Sequence, residues 1–293
     1  MPQTVEDIRR WDKSPFEPYR HRFIAELGGI PVGAGLAYAD PEQKGTRKGF
    51  MAGPGVVPEH RRKDVGTALA HAILGDLRQR GMEQAEIQGR DRLDLNGFLA
   101  ALGFKVTRSS SEMRRPLDTV PHGLGESVQT ELALIEPTDA NLAILLDIEN
   151  EASKEHYNHP PRTPQEFRFF FTASAEQGSV LRVLLATLTG SPVGYIGYGY
   201  DEREITRLGK KRGGLWGLCV LQRYRGRGIA KALMLAGMEH LKAEGMVEVG
   251  LNVDDMNPTN ARRLYERLGF TLAYRDLVHS LALVPGTTVR EEH

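Results

Sequence analysis

A chain of 293 residues, 40% of them hydrophobic and 26% charged, is long for one compact domain and comfortable for two. Thirty-eight basic residues balance 38 acidic ones, which argues against nucleic acid as the main partner, because a phosphate backbone calls for a basic surface. A single cysteine, Cys219, excludes an internal disulfide and an all-cysteine metal site, and no apolar run approaches the roughly 18 residues that span a bilayer.

The chain opens with a polar, acidic stretch, Met1 to Asp7, that does not read as a signal peptide; a cytoplasmic protein is expected. About twenty residues precede the first strand signal, enough for one short helix with Val5, Ile8 and Trp11 on one side. Phe23 to Gly33 reads as strand, Gly turn and strand, a hairpin. Val65, Leu69, Ile73 and Leu77 form one helical face, and Leu102-Gly103-Phe104 ends a second helix. Residues 116–128 carry Pro116, Pro121, Gly123 and Gly125 and read as a linker.

Beyond it, strand 132–135 leads to a helix with Asp139 as expected N-cap and Leu142, Leu145, Leu146 and Ile148 on its apolar face. Thr163 and Glu166 have capping-box spacing at the start of another helix. Strands are expected at 180–188, 192–200 and 213–221. A helix carrying Ile229, Leu233, Gly237 and Leu241 follows, then strand 247–253, a helix over 258–268 ending at Gly269, and a last strand from Leu272 to Leu281.

The chain repeats itself. Phe23 to Gly33 resembles Leu184 to Gly194, Val65 to Leu69 resembles Ile229 to Leu233, and Leu102 to Phe104 resembles Leu268 to Phe270, at offsets of 161, 164 and 166 positions. That period is far too long for a solenoid. It predicts two homologous domains, 1–115 and 129–293, with the first copy missing its first strand and so leaving a sheet edge to be covered.

Chemistry concentrates in Leu218 to Ala230. A strand runs into a turn that opens a helix, and Gly226 and Gly228 give the backbone dihedrals other residues resist. Unpaired N–H groups of the first helical turn, with the helix dipole behind them, suit an anion, and Arg223, Arg225 and Arg227 add charge that suits phosphate. A dinucleotide turn fails because Lys231 stands at its third glycine, and the P-loop pattern is also absent.

Arg223, Gly226 and Gly228, followed by Ile229 and Ala230, instead resemble the R-x-x-G-x-G/A signature of the GCN5-related N-acetyltransferase (GNAT) superfamily. Asn257 to Phe270 resembles its second motif, N-x-x-A-x-x-L-Y-x-x-x-G-F. The tandem copies are similar to the mycothiol synthase type of architecture. The resemblance implies an α/β (α+β) fold of two tandem domains, each a mixed, mostly antiparallel sheet flanked by helices, with one working site in 129–293. It implies acetyl-CoA as co-substrate between strands 213–221 and 247–253 and no metal. Leu218, Cys219 and Val220 would hold the pantetheine arm by their backbone, Arg225 to Ala230 would hold the pyrophosphate, and Asn252, Asn257 and Asn260 would lie along the CoA. Tyr265 would be the general acid.

A phenol titrates near 10 and the departing thiol near 8.5, so a tyrosine is protonated at neutrality and can donate to the leaving sulfur. The oxyanion would meet a backbone N–H, that of Val220. The alternative for Tyr265 is packing between Leu264 and Leu268. No carboxylate sits on 213–221, so the base is open among Glu149, Glu151 and Asp201, each also readable as a surface charge. Cys219 reads as an apolar filler or an acyl carrier. His156 and His159 could touch substrate but lack a third metal ligand. Tyr198, Tyr200 and Trp216 suit an acceptor pocket or the core.

In the first copy Arg62 and Asp64 stand where Gly226 and Gly228 do, and Leu99 where Tyr265 does. The cradle and the acid are both lost, which predicts a structural or acceptor-shaping domain. The expected partner is a small-molecule or peptide amine in a monomer or homodimer, with no membrane or nucleic acid. A mycothiol synthase acting on a cysteinyl pseudodisaccharide, and a non-catalytic acyl-CoA sensor, are the alternatives.

Overall fold

A computed structural model describes residues 20–39, 47–120, 130–155, 161–176 and 178–283. The expected N-terminal helix, His156 and His159 lie outside these residues. The chain forms two compact units, residues 1–109 with 276–293, and residues 110–275.

The first unit contains β1 (Arg20–Leu27), β2 (Ile30–Tyr38), β3 (Lys48–Val56), helix α1 (Val65–Gln79), β4 (Gln84–Arg90) and helix α2 (Leu93–Ala101). Strands β1 to β3 pair antiparallel in sequence, and β3 pairs parallel with β4. Gly28 and Gly29, both at positive φ, close the expected hairpin. The helical face read from sequence packs at Leu69, Ile73 and Leu77, and Ile73, Leu74 and Leu77 are buried with Ala37, Met51 and Ile87.

The second unit contains β6 (Thr130–Ile135), α3 (Asp139–Ala152), α4 (Pro164–Glu176), β7 (Ser179–Leu188), β8 (Ser191–Asp201), α5 (Glu202–Leu208), β9 (Arg212–Val220), α6 (Ile229–Ala243), β10 (Glu248–Asp254) and α7 (Ala261–Arg267). Strands β6 to β9 pair antiparallel in order, and β9 pairs parallel with β10. One face of this sheet carries α6, whose Leu233, Met238 and Leu241 pack with Tyr198 and Leu215. The other carries α3 and α4, whose Leu145, Ile148, Phe167 and Phe171 pack with Leu185, Tyr195 and Cys219.

Capping follows the sequence with one shift. Thr163 and Glu166 cap α4 reciprocally, Glu166 N donating to Thr163 Oγ1 at 3.3 Å and Thr163 N to Glu166 Oε2 at 2.8 Å. The N-cap of α3 is Thr138, not Asp139: its hydroxyl accepts from Asn141 N at 3.3 Å. The short helix α5 was not expected; Asp201 caps it, accepting from Arg203 N and Glu204 N at 2.8 and 3.1 Å.

Two further strands, β5 (Lys105–Pro116) and β11 (Thr271–Ala282), occupy equivalent positions in the two repeats, and their second halves are exchanged. In the second unit Ser110 to Pro116 pair antiparallel with Asp254 to Glu248 of β10. In the first, Asp276 to Ala282 pair antiparallel with Arg90 to Gln84 of β4. The last strand therefore does not complete its own repeat. The expected linker also begins inside the second unit's core, where Leu117 and Val120 are buried and Leu117 N donates to Val247 O at 2.9 Å.

Candidate active site

The site begins where two parallel strands part. Strand β10 pairs with β9 only over Glu248 to Gly250 against Arg212 to Gly214. Beyond Gly214, β9 bulges: Tyr195 faces Cys219 but Gly197 faces Trp216, so β9 holds an extra residue there. Gly217 supplies the positive φ of 60° that the bulge requires, and a Cβ there would come within 3.2 Å of the Tyr195 ring. The first unit parts at the equivalent place, with β3 and β4 paired over Lys48 to Phe50 alone.

A cavity of about 740 Å³ fills the opening in the second unit. Of the residues expected to hold the co-substrate or act on it, all but Arg223 and Arg227 line it: Leu218, Cys219 and Val220 of β9, Arg225, Gly226, Gly228, Ile229 and Ala230 of the turn, Asn252 of β10, Asn257, Asn260 and Tyr265. Trp216 lines it as well, seated where a Cβ on Gly197 would lie 2.3 Å from its indole nitrogen. Tyr198 and Tyr200 do not; Tyr198 is fully buried beside His240.

The turn keeps its backbone and redirects its arginines. Gly226 and Gly228 take φ of 77° and 83°, and Gly228 is the N-cap of α6. Space around Gly226 is open, so conformation alone explains that glycine. The Arg225 guanidinium points inward, donating to Val220 O at 3.2 Å and Ala152 O at 2.9 Å and pairing with Glu155 at 3.3 Å. It ties the turn to the strand rather than offering free charge. The tie recurs in the first repeat, where Arg61 donates to Val56 O at 2.9 Å. Arg223 and Arg227 stack on Tyr224, 5.0 and 5.5 Å from its centroid. The start of α6 and Lys231 line the cavity beside this turn.

Asn257 and Asn260 carry structural duties. Asn257 Oδ1 accepts from Thr259 N at 2.8 Å, an Asx turn, and Asn260 takes a left-handed φ of 55° at the N-cap of α7. The Tyr265 ring packs edge-on against Phe270 at 6.2 Å, and burial pushes its phenol up to about 12, with Cys219 a smaller contributor. Tyr265 thus packs in the core, as the packing reading expects, and also lines the cavity. Burial likewise raises the Cys219 thiol to about 12, so it stays protonated at neutrality and has no thiolate to carry an acyl group.

The three carboxylates separate cleanly. Glu151 is exposed and pairs with Lys154. Asp201 is spent on capping and on Ser179 Oγ at 3.0 Å. Glu149 is 7% exposed and lines the cavity, contrary to a surface-charge reading. Ser153 and Arg162 line it too and carried no sequence signal. Among the described residues no three His, Cys, Asp or Glu side chains cluster as a metal site, and no helix is long and apolar enough to cross a membrane.

The first repeat keeps the frame without the glycines. Arg62 and Asp64 hold φ of 60° and 58°, the conformation of Gly226 and Gly228. The two glycines are lost and the turn's backbone conformation is not. What differs is chemistry: an aspartate N-caps α1, and Leu99, fully buried, replaces Tyr265.

The description "Acetyltransferase (GNAT) family" matches residues 2–104 and 142–270. The chain belongs to the GNAT acetyltransferase family. A Thermobispora bispora protein named mycothiol acetyltransferase is 55% identical over 272 residues, covering 87% of this chain and 81% of that protein. One of the same name from Actinosynnema mirum is 29% identical over 259 residues, covering 88% and 82%. Among solved structures, a tandem GNAT protein from the clavulanic acid biosynthesis pathway superposes with a TM-score of 0.74 at 18% identity, over 97% of this chain and 90% of that one. A Sphaerobacter thermophilus GNAT follows with 0.65 at 20% identity, over 97% and 87%. Both likenesses support the tandem fold, and both halves of this GNAT acetyltransferase match the family.

Proposed function

We propose that residues 129–293 carry the working site and that it moves an acetyl group from acetyl-CoA to a primary amine. One observation carries the reading: a single cavity joins the α6 N-terminal turn, the parted strands and Tyr265. The residues fit the co-substrate. Amides of Ile229 to Lys231, backed by the helix dipole, suit its pyrophosphate, and the unpaired edge of Leu218 to Val220 suits its pantetheine arm. The Val220 amide stabilises the oxyanion, and Tyr265, held protonated by burial, returns a proton to the thiolate. The name shared by the relatives favours a mycothiol precursor, a cysteinyl pseudodisaccharide, as the amine. The first repeat, without the glycines and the tyrosine, is read as a structural or acceptor-shaping domain.

Thiol release from acetyl-CoA, with that precursor and a panel of amines, tests the reading. Tyr265→Phe lowers kcat by about 10²–10⁴ and leaves acetyl-CoA affinity within twofold. With the phenol at about 12, Tyr265 gives no loss of rate as pH rises through 7 to 10. An unchanged kcat removes Tyr265 from the mechanism, and acetyl-CoA binding without release under any acceptor makes the chain a sensor.

A further inference from the structure

Two glycines in the second unit are explained by one side chain. Gly197 on β8 and Gly214 on β9 both keep φ outside the left-handed region, so neither backbone needs glycine. The three atoms nearest a Cβ on Gly197 would all be Trp216's, with Nε1 at 2.3 Å, Cδ1 at 2.7 Å and Cε2 at 2.9 Å. A Cβ on Gly214 would lie 3.4 and 3.5 Å from Cζ3 and Cε3 of the same indole, and one on Gly199 would lie 3.1 Å from its Cη2. One long edge of the ring thus covers β8 and the other covers β9, so the indole lies along the sheet rather than standing off it. Glycine weakens a strand interior, and here two positions give up their side chains to seat one ring.

Trp216 lines the cavity, and the glycines beneath it do not. The indole therefore turns its outer face to the opening. Among the described residues it joins neither hydrophobic cluster of this unit, whereas Leu215 and Cys219 of the same strand do. Strand register places what surrounds it. The last paired residues of β9 and β10 are Gly214 and Gly250, so Trp216 and Asn252 stand at matching positions just past the parting, on the sheet face opposite Leu215 and Leu251. Glu112 on β5 pairs with Asn252, and its Oε1 would lie 3.0 Å from a Cβ on Gly250. Glu149 on α3, Ser153 just after it and Arg162 line the same cavity. An electron-rich ring face bordered by amide, hydroxyl and charged groups matches a polyhydroxylated ring. Such a ring has an apolar face of C–H bonds with slight positive charge, and its hydroxyls radiate outward to hydrogen-bond partners.

We propose that the Trp216 indole is the platform for a ring of the acceptor, so the acceptor is a primary amine carrying a sugar or cyclitol ring whose C–H face stacks on the indole while Asn252 and Glu112 take its hydroxyls. The inference rests on the acetyl-transfer reading above and assigns the acceptor's class from this chain's own residues. The ring is the part of the acceptor that does not react. Trp216 therefore sets acceptor affinity and leaves the chemical step to other groups, which makes it a specificity residue. Gly197 and Gly214 act through it, by letting the indole lie flat.

The test compares four amines that share one reactive group: serinamide and the seryl amides of glucosamine, an aminocyclitol and benzylamine. Thiol release by the full chain gives kcat and KM for each, calorimetry gives acetyl-CoA affinity, and indole fluorescence reports ring binding directly. The wild-type chain is expected to favour the glucosamine or cyclitol compound over serinamide by about tenfold in KM, and the stronger of the two tells sugar from cyclitol. Trp216→Ala is expected to erase that preference at unaltered acetyl-CoA affinity, and Trp216→Phe to restore part of it. Gly197→Ala pushes the ring off the sheet and weakens the preference as well. The chain's other tryptophan is Trp11, so the fluorescence response to the ring compounds should vanish in Trp216→Phe. No preference in the wild-type chain, a preference that survives Trp216→Ala, or a stronger one for the benzyl compound overturns the inference. A fluorescence response that needs Trp216, without thiol release from any amine, overturns the transfer reading and leaves the platform standing.

Discussion

At the scale of single residues, environment decides which of several equivalent side chains has chemistry. Glu149, Glu151 and Asp201 are one residue type or its near neighbour, and only Glu149 is buried beside the parted strands. Sequence spacing placed all three near the site and could not rank them, because burial is a property of packing. His279 is an opposite case. It is 2% exposed on the sheet of the first unit, and among the described residues neither ring nitrogen has a hydrogen-bond partner. Burial holds its pKa below the ordinary 6.5, so the folded chain keeps it neutral while the unfolded chain protonates it. Stability attributable to His279 is complete above 6.5 and is lost as pH falls below it. The wild-type melting temperature should drop between pH 7 and pH 5 by more than that of His279→Leu, as thermal melts at both values would show; equal drops would remove the residue from the acid response.

At the scale of elements, the strand–turn–helix unit is the recurring part. Both repeats build it with a three-residue parallel pairing, a short 3-10 turn, an arginine tied to the strand carbonyl and two left-handed residues before the helix. Its outline was readable from Gly226, Gly228 and the apolar spacing of α6. The survival of the same turn at Arg62 and Asp64 was not, since packing on both sides can impose a conformation worth about 1–2 kcal/mol of strain per residue. Gly228→Val should therefore weaken acetyl-CoA binding at least tenfold by moving the first amides of α6, measured by calorimetry. Arg62→Gly should leave binding untouched and raise stability by about 1 kcal/mol in denaturant titration.

At the scale of the whole molecule, the exchange of strand halves sets what can fold. Ser110 to Pro116 supply seven register partners to β10, and Met113 among them is 1% exposed in the second unit's core. A fragment of residues 129–293 lacks them. Losing one such core side chain costs about 2–5 kcal/mol, a large part of the stability of a domain, and an unpaired β10 invites aggregation. A fragment of residues 110–275 retains the whole second unit. Circular dichroism melts should show a cooperative transition for 110–275 and none, or one at least 10 °C lower, for 129–293. The reverse order would mean that the strand at 276–282 matters more to the second unit than that at 110–116.

The sequence by itself determined the repeat, the glycine turn and most strands and helices of the second copy, α5 excepted. These rest on local physics: periodicity, turn chemistry and capping act between residues close in the chain. Only the tertiary structure decided that Arg225 binds protein, that Glu149 faces the cavity, and that each repeat lends half a strand to the other's unit. Those outcomes depend on contacts between residues as far apart as β5 and β10, and equivalent strands of a repeat offer nearly the same pairing partner, so no local signal distinguishes the exchanged arrangement from the simple one.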